Sequence, residues 1–157
     1  MQIYIKFFDY WHISSGESAG VLYDATVLKD ENGFAYIGGK TIKGLVKDVM
    51  KYIDDAYLLD EQFSNLELPV LTKKQIEKNK EFLYKKISST AIDSDTKMAK
   101  DHSLRDIEVV IPITLYGTIE HIKDKDKILK ALKLIKRVGL NRNRGLGRCE
   151  VGECKDA

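Results

Sequence analysis

The residues best suited to chemistry sit close together near the end of the chain. From Gly139 to Arg148 the sequence reads GLNRNRGLGR, with three glycines and three arginines in ten positions. Gly139, Gly145 and Gly147 permit tight or left-handed backbone and let another chain approach closely. Arg142, Arg144 and Arg148 carry planar guanidinium groups that read phosphates bidentately. Asn141 and Asn143 add neutral donors, and exposed N–H groups in such a loop can form an anion nest. The plainer alternative is a helix-to-strand turn with solvated arginines. The pattern is neither G-x-G-x-x-G after a strand nor G-x-x-x-x-G-K-[ST], so it does not support a nucleotide-cofactor fingerprint.

A second candidate is KTIKGLVKD, where Lys40, Lys43 and Lys47 step along one side of a predicted helix beside Thr41. With the Gly38–Gly39 turn they can offer ammonium groups and helix N–H groups to a phosphate backbone; an ordinary solvated face is the alternative. Gly44 inside this helix costs roughly 1 kcal/mol relative to alanine, which suits a position needing close packing or ligand approach. Third come Tyr10, Trp11 and His12. Aromatic rings can stack bases, and His12 is a possible general acid or base for RNA cleavage; alternatively Trp11 is core and His12 an incidental neighbour. Fourth is Asp24, a carboxylate inside the apolar arm VLYDATVL. Near an RNA backbone it can hold a divalent metal or orient a 2′-hydroxyl, with water and phosphate completing the metal's shell. Asp93 and Asp95 read as turn residues, and Asp101–His102 is a weak metal pair.

Composition narrows the partner. The chain has 157 residues and a net charge of only +2, so one domain is the default and a general polycation is excluded. Four of its five arginines fall between Arg137 and Arg148. That concentration points to local binding of an anion. Cys149 and Cys154 have spacing that suits neither a disulfide within one strand nor a zinc pair. Two free thiols, no signal peptide at the start and no long apolar run lead to the expectation of a soluble, cytoplasmic protein without membrane contact.

These residues need elements to hold them. QIYIKFF alternates as a strand. GVLYDATVLKDENGFAYI predicts a hairpin turning at Asp30–Gly33. GGKTIKGLVKDVMKYIDDAYLL predicts a helix with Ile42, Leu45, Val46, Val49, Ile53 and Ala56 on one stripe and Thr41 as a possible N-cap. Residues 60–86 are polar, broken by Pro69, with a possible helix in TKKQIEKNKEFLYKKI capped by Thr72 and Gln75; they read as a surface insertion. From Ile107 a strand alternates through Ile119, and Pro112 demands an edge or a bulge. DKDKILKALKLIKRVGL is the clearest helix, with an aspartate cap and Gly139 at its C′ position. LGRCEVGEC closes as a strand. The order is close to βαββαβ, an α+β, ferredoxin-like (RRM-like) fold with both helices on one side of an antiparallel sheet. The other face is then free, a surface that RNA-binding, metabolic and dimerising domains all use.

Four segments, in order, carry a resemblance: HISSGESAGVLYDATVLKDENGFAYI, YIGGKTIKGLVKD, TAIDSDTKMAKDHSLRDIEVVIPITLYGTI and RVGLNRNRGLGRCEV. Together they resemble the RAMP superfamily of CRISPR-associated proteins, in particular the backbone-type subunits of type III effector complexes, with a III-D-like complex among the arrangements the resemblance implies. Gly38 stands where that family usually has proline, and His102 where it usually has glycine. The resemblance covers nearly the whole chain. It implies a single ferredoxin-like domain over 1–157 with an inserted thumb hairpin at about 13–37 and a further insertion at about 60–86. It implies that the glycine-rich loop and the first-helix region grip the guide crRNA, while the thumb intrudes between guide and complementary target RNA. Asp24 falls at the position of the aspartate that, in active members, supports metal-dependent cleavage of target RNA, with Mg2+ as the expected cation. Other effector subunits are the implied protein partners. Two alternatives stay open: a catalytically inactive structural subunit of the same complex, and a metal-independent guide-processing endoribonuclease using His12.

Overall fold

The computed structural model describes residues 1–15, 25–89, 94–98, 105–140, 142 and 145–155. Among them, six strands and three helices run β1 (Gln2–Phe7), α1 (Gly39–Met50), β2 (Gln62–Phe63), α2 (Val70–Gln75), β3 (Tyr84–Ser89), β4 (Arg105–Val110), β5 (Thr114–Glu120), α3 (Lys125–Leu134) and β6 (Cys149–Glu153), with a 3₁₀ stretch over Glu77–Leu83. β1 is central. It pairs antiparallel with β5 (Ile5 opposite Leu115) and with β6 (Ile5 opposite Val151), and β2 adds to β5, giving the order β2-β5-β1-β6. Without β3, β4 and α2, this is the ferredoxin-like βαββαβ plan. Among the described residues no helix is long and apolar enough to cross a membrane.

Alternation along β1 sends Ile3, Ile5 and Phe7 into the core and leaves the intervening side chains outward. α1 and α3 cover the inner face with Ile42, Val46 and Met50, and with Ile128, Ala131 and Leu132. Each large aliphatic side chain among these contributes about 1.5–3 kcal/mol on burial. The stripe predicted for α1 holds at Ile42 and Val46, while Leu45, Val49 and Ile53 are half-buried and Ala56, beyond the helix end, is exposed.

Several local expectations differ from the fold. Thr41 is not the N-cap of α1. Gly38 takes that position without a side-chain bond, and the Gly39 N–H donates to Asn65 Oδ1 at 2.9 Å. Gly39 must be glycine because a Cβ there would lie 2.1 Å from the Phe63 carbonyl oxygen of β2. Gly139 is not at the C′ position of α3: the helix stops at Leu134 and Ile135 is already extended. The predicted aspartate cap is present, with Asp124 accepting from the Lys127 N–H. Pro112 marks neither an edge nor a bulge. It separates β4, which pairs with β3, from β5 in the main sheet, so one apolar run serves two sheets. In the stretch 60–86, α2 follows Pro69 without the Thr72–Gln75 box, and Tyr84 onward is strand. Leu66, Leu68 and Leu83 of that stretch are buried.

The hairpin arms meet as predicted around Asp30–Gly33. Lys29 bridges Ala35, the Asp30 N–H donates to the Phe34 carbonyl, and Gly33 has φ +85. Asp30 Oδ1 accepts from the N–H groups of Asn32 and Phe34, and Oδ2 meets the Lys73 ammonium at 3.0 Å. Burial alone would raise this carboxyl; the Phe34 N–H, Lys73 and the Asn32 N–H outweigh it and hold the group below its usual range.

Candidate nucleic-acid interface

The glycine-arginine loop leaves and re-enters the fold through a clamped base. The Cys149 N–H donates to Lys136 O, Val138 N–H to Gly147 O, Gly147 N–H to Tyr10 O and Leu140 N–H to His12 O, all at 2.8–2.9 Å. Two of its glycines serve this clamp. Gly139 (φ +94) would drive a Cβ to 2.2 Å from His12 O, and Gly147 (φ +77) to 2.0 Å from Val138 O. The chain's own backbone therefore demands them, not an incoming partner. Gly145 (φ +92) would meet nothing within 4 Å of an added Cβ and alone of the three leaves open space. Next to it, Leu146 is buried against Ile107 and Val109 of β4, with Ala25 packed alongside.

The cations project from this base. Arg142 and Arg148 are exposed, and Arg137 Nη1 donates to the Arg142 carbonyl at 3.2 Å, bracing the outgoing limb. A groove of about 340 Å³ runs between α1 (Leu45, Asp48, Val49) and the end of α3, walled by Arg137 and Arg142. Lys40 and Lys47 are exposed and Lys43 half-buried. At 3.6 residues per turn these lysines lie on the neighbouring solvent face of α1, with Gly44 between them and the groove-lining Asp48 and Leu45. The structure thus brings Arg142 to α1, while the lysines form a separate strip. Gly44 is exposed with nothing within 4 Å of an added Cβ, so the chain's own packing does not require it. Asn141, Asn143 and Arg144 lie outside the described residues.

Trp11 and His12 are corrected by burial. Trp11 is 0% exposed, stacked on Phe7 at 4.4 Å and 8°, with its indole N–H on the Ile111 carbonyl. A ring enclosed in the core has no face to offer a base. His12 is equally buried, and Nδ1 lies 2.5 Å from the Glu108 carbonyl oxygen. Since a carbonyl only accepts, Nδ1 carries the proton, and Nε2 is enclosed without a hydrogen-bond partner among the described residues. An imidazole with no exposed atom cannot reach a scissile phosphodiester. Of the three clustered residues only Tyr10 is exposed. A second exposed ring, Phe8, lies one residue past the buried Phe7 in the same aromatic run, Phe7-Phe8-Asp9-Tyr10-Trp11. The alternation of β1 carried that signal.

Asp24 lies outside the described residues, as do Asp93, Asp101 and His102; Asp95 sits in an exposed turn. The described backbone before and after residues 16–24 is firmly held. The Ser15 N–H donates to Thr26 O, and the Glu108 N–H to Ala25 O. The buried Glu108 carboxylate accepts from the Val27 N–H at 3.1 Å and from Lys29 at 2.8 Å. No group of three His, Cys, Asp or Glu side chains that could hold a metal occurs among the described residues, so they supply no ready cage for a divalent cation.

Fold and surface together define an α+β ferredoxin-like domain with an arginine-bearing loop clamped at one end of its sheet. No family model and no curated protein matches the chain. Solved structures do. A chain of type III-B Cmr-beta in its apo state superposes with a TM-score of 0.68 at 13% identity, covering 99% of this chain and 97% of that one. A chain of type III-B Cmr-beta bound to cognate target RNA gives 0.68 at 11% identity, covering 96% and 95%. At these identities the shared property is the fold, from end to end.

Proposed function

We propose that this protein is a guide-RNA-binding backbone subunit of a type III CRISPR effector complex of the RAMP class. The observation that carries the proposal is the loop itself. Its base is fixed by four backbone hydrogen bonds, and its exposed Arg142 walls the groove between α1 and α3. Guanidinium groups presented from a fixed base suit a sugar–phosphate path, which fixes position without reading sequence. Base pairing between guide and target then carries specificity. The ordered family segments and an end-to-end likeness to a chain from a structure bound to cognate target RNA support the same partner class. Guide crRNA, complementary target RNA and further effector subunits are the proposed partners. Cleavage of target RNA is proposed through Asp24 with Mg2+, which would supply charge neutralisation at the phosphate.

The test is salt-dependent binding. Replacing Arg142, Arg144 and Arg148 by glutamine is expected to weaken RNA binding across sequences. It should also flatten the plot of log K against log salt by about 0.7 for each phosphate that is no longer neutralised. Equal affinity and equal slope for parent and variant at moderate salt would remove the assignment. Catalysis is tested separately in the assembled complex. Asp24→Asn should abolish Mg2+-dependent target cleavage and keep target binding; unchanged cleavage would leave a binding subunit only.

A further inference from the structure

We propose that Phe8 is a base-stacking platform and that the cleft it shares with Lys136, Arg137 and Arg148 seats one unpaired nucleotide of an RNA strand. The identity of the ligand as RNA rests on the function proposed above; the cleft itself does not. Phe8 follows β1 directly and is 40% exposed, whereas the preceding Phe7 is buried. It stands at the mouth of a cleft of about 290 Å³ lined by Phe8, Lys136, Arg137, Arg148, Cys149 and Glu150. That volume is at the low end for small-ligand sites and matches a single nucleotide better than a duplex.

The walls are fixed before any ligand arrives. The Phe8 N–H donates to Arg148 O and the Cys149 N–H to Lys136 O, each at 2.9 Å, so three chain segments are tied in register around the cleft. The charge is complementary to a phosphate. Three cations line the cleft against one carboxylate, Glu150, which accepts from the Tyr4 hydroxyl. Asp9 lies 3.3 Å from Arg148 Nε, one of the five N–H donors that a guanidinium offers. Arg148 and Lys6, both exposed, stand over the Phe8 ring at 5.4 and 5.5 Å from its centre, within cation–π range, so a stacking base takes the place of one of them on the π-face. An exposed ring flanked by cations is the combination that binds single-stranded nucleic acid, with the base on the π-face and the phosphate on the charges. An acidic peptide would use the cations but not the ring.

The path is continuous in both directions. Arg137 lines this cleft and also the groove beneath Arg142. Lys136 and Glu150 are shared with a second cleft beside β6 that adds Lys133 and Lys155. A strand held at the loop tip can therefore run over Phe8 and on along the edge strand.

The experiment measures fluorescence anisotropy of a fluorescein-labelled single-stranded oligoadenylate with the full-length protein, its Phe8→Ala, Phe8→Leu and Phe8→Tyr variants, and the Arg142→Gln/Arg144→Gln double variant. Losing one base stack should weaken binding roughly 5- to 150-fold in Phe8→Ala and Phe8→Leu. Phe8→Tyr should bind like the parent. Because no charge is removed, the salt slope should stay unchanged in all three Phe8 variants, which a mere displacement of the cations would not give. If Phe8→Ala and Phe8→Leu bind like the parent while the arginine variant is weakened, the stacking platform is wrong and the loop assignment stands. If only the Phe8 variants are weakened, the cleft stands and the loop assignment falls. If neither set changes binding, both fall.

Discussion

Alanine at Gly147 and at Gly145 should destabilise the protein to different extents, because only one of them faces the clamp. Both glycines have positive φ, +77 and +92. Left-handed backbone costs an L-residue about 1–2 kcal/mol wherever it occurs. At Gly145 that is the expected effect, since among the described residues nothing lies within 4 Å of the added Cβ. At Gly147 the Cβ would also sit 2.0 Å from Val138 O. Relief requires moving the very segment whose Val138 N–H donates to Gly147 O. Forcing atoms into a packed site typically costs a further 1–3 kcal/mol or so. Gly145→Ala should thus lose about 1–2 kcal/mol and Gly147→Ala about 2–5 kcal/mol. For a chain of this length each kcal/mol lowers Tm by roughly 2–4 °C. Urea unfolding followed by the emission of the single tryptophan, Trp11, reads the difference directly, because that ring is stacked inside the core. Equal midpoints for the two variants, with equal slopes, would refute the clamped base.

Two further outcomes follow from titrating groups. Asp30 has its pKa held below the usual value, so its contribution to stability is fully present above the ordinary carboxylate range and is lost as pH falls through the depressed folded value. Asp30→Asn should be less stable than the parent in urea at pH 7, and the gap should narrow as pH falls below about 4 and close only beneath the depressed folded value; a gap that stays constant across the whole acid range would contradict the assignment. Cys149 is buried, and that burial pushes its thiol up to about 12, whereas Cys154 is only half-buried. Brief iodoacetamide treatment of the native protein at mildly alkaline pH should label Cys154 first, with Cys149 following only on unfolding. Mass spectrometry that finds Cys149 labelled first would contradict its burial.

The main sheet was legible because its signals are local. Alternation in QIYIKFF, the aspartate cap of α3 and the Asp30–Gly33 turn each follow from neighbouring residues, and their order fixes the ferredoxin-like plan. What could not be read depends on residues distant in sequence. Gly139 resembles a helix C′ glycine in sequence, yet its conformation answers to His12 O, 127 positions earlier in the chain. Pro112 looks like a flaw in one strand because nothing local says that the residues before it pair with β3 and those after it with β1. Trp11 and His12 are polar-edged residues in a loop-like stretch, and only the stacking on Phe7 and the Glu108 carbonyl reveal them as core. The arginine density of the loop was legible as composition; the bracing of Arg142 by Arg137 was not.

On the function proposed above, the loop's construction also bears on how a chain of nearly neutral charge would hold an anionic polymer. Few cations suffice if they lose little freedom on binding, since ordering flexible side chains and backbone opposes association. At the base of the loop part of that ordering is done on folding: Val138, Leu140, Gly147 and Cys149 are hydrogen-bonded, and Leu146 is buried beside Ala25, Ile107 and Val109. Through Leu146 the loop shares one apolar cluster with Ala25, the residue that follows Asp24 in sequence. A displacement of the loop would therefore press on Ala25, and the Glu108 carboxylate, holding Val27 and Lys29, fixes what it presses against. On the function proposed above, RNA binding at the loop would be felt at Ala25, the described residue next to Asp24 in sequence.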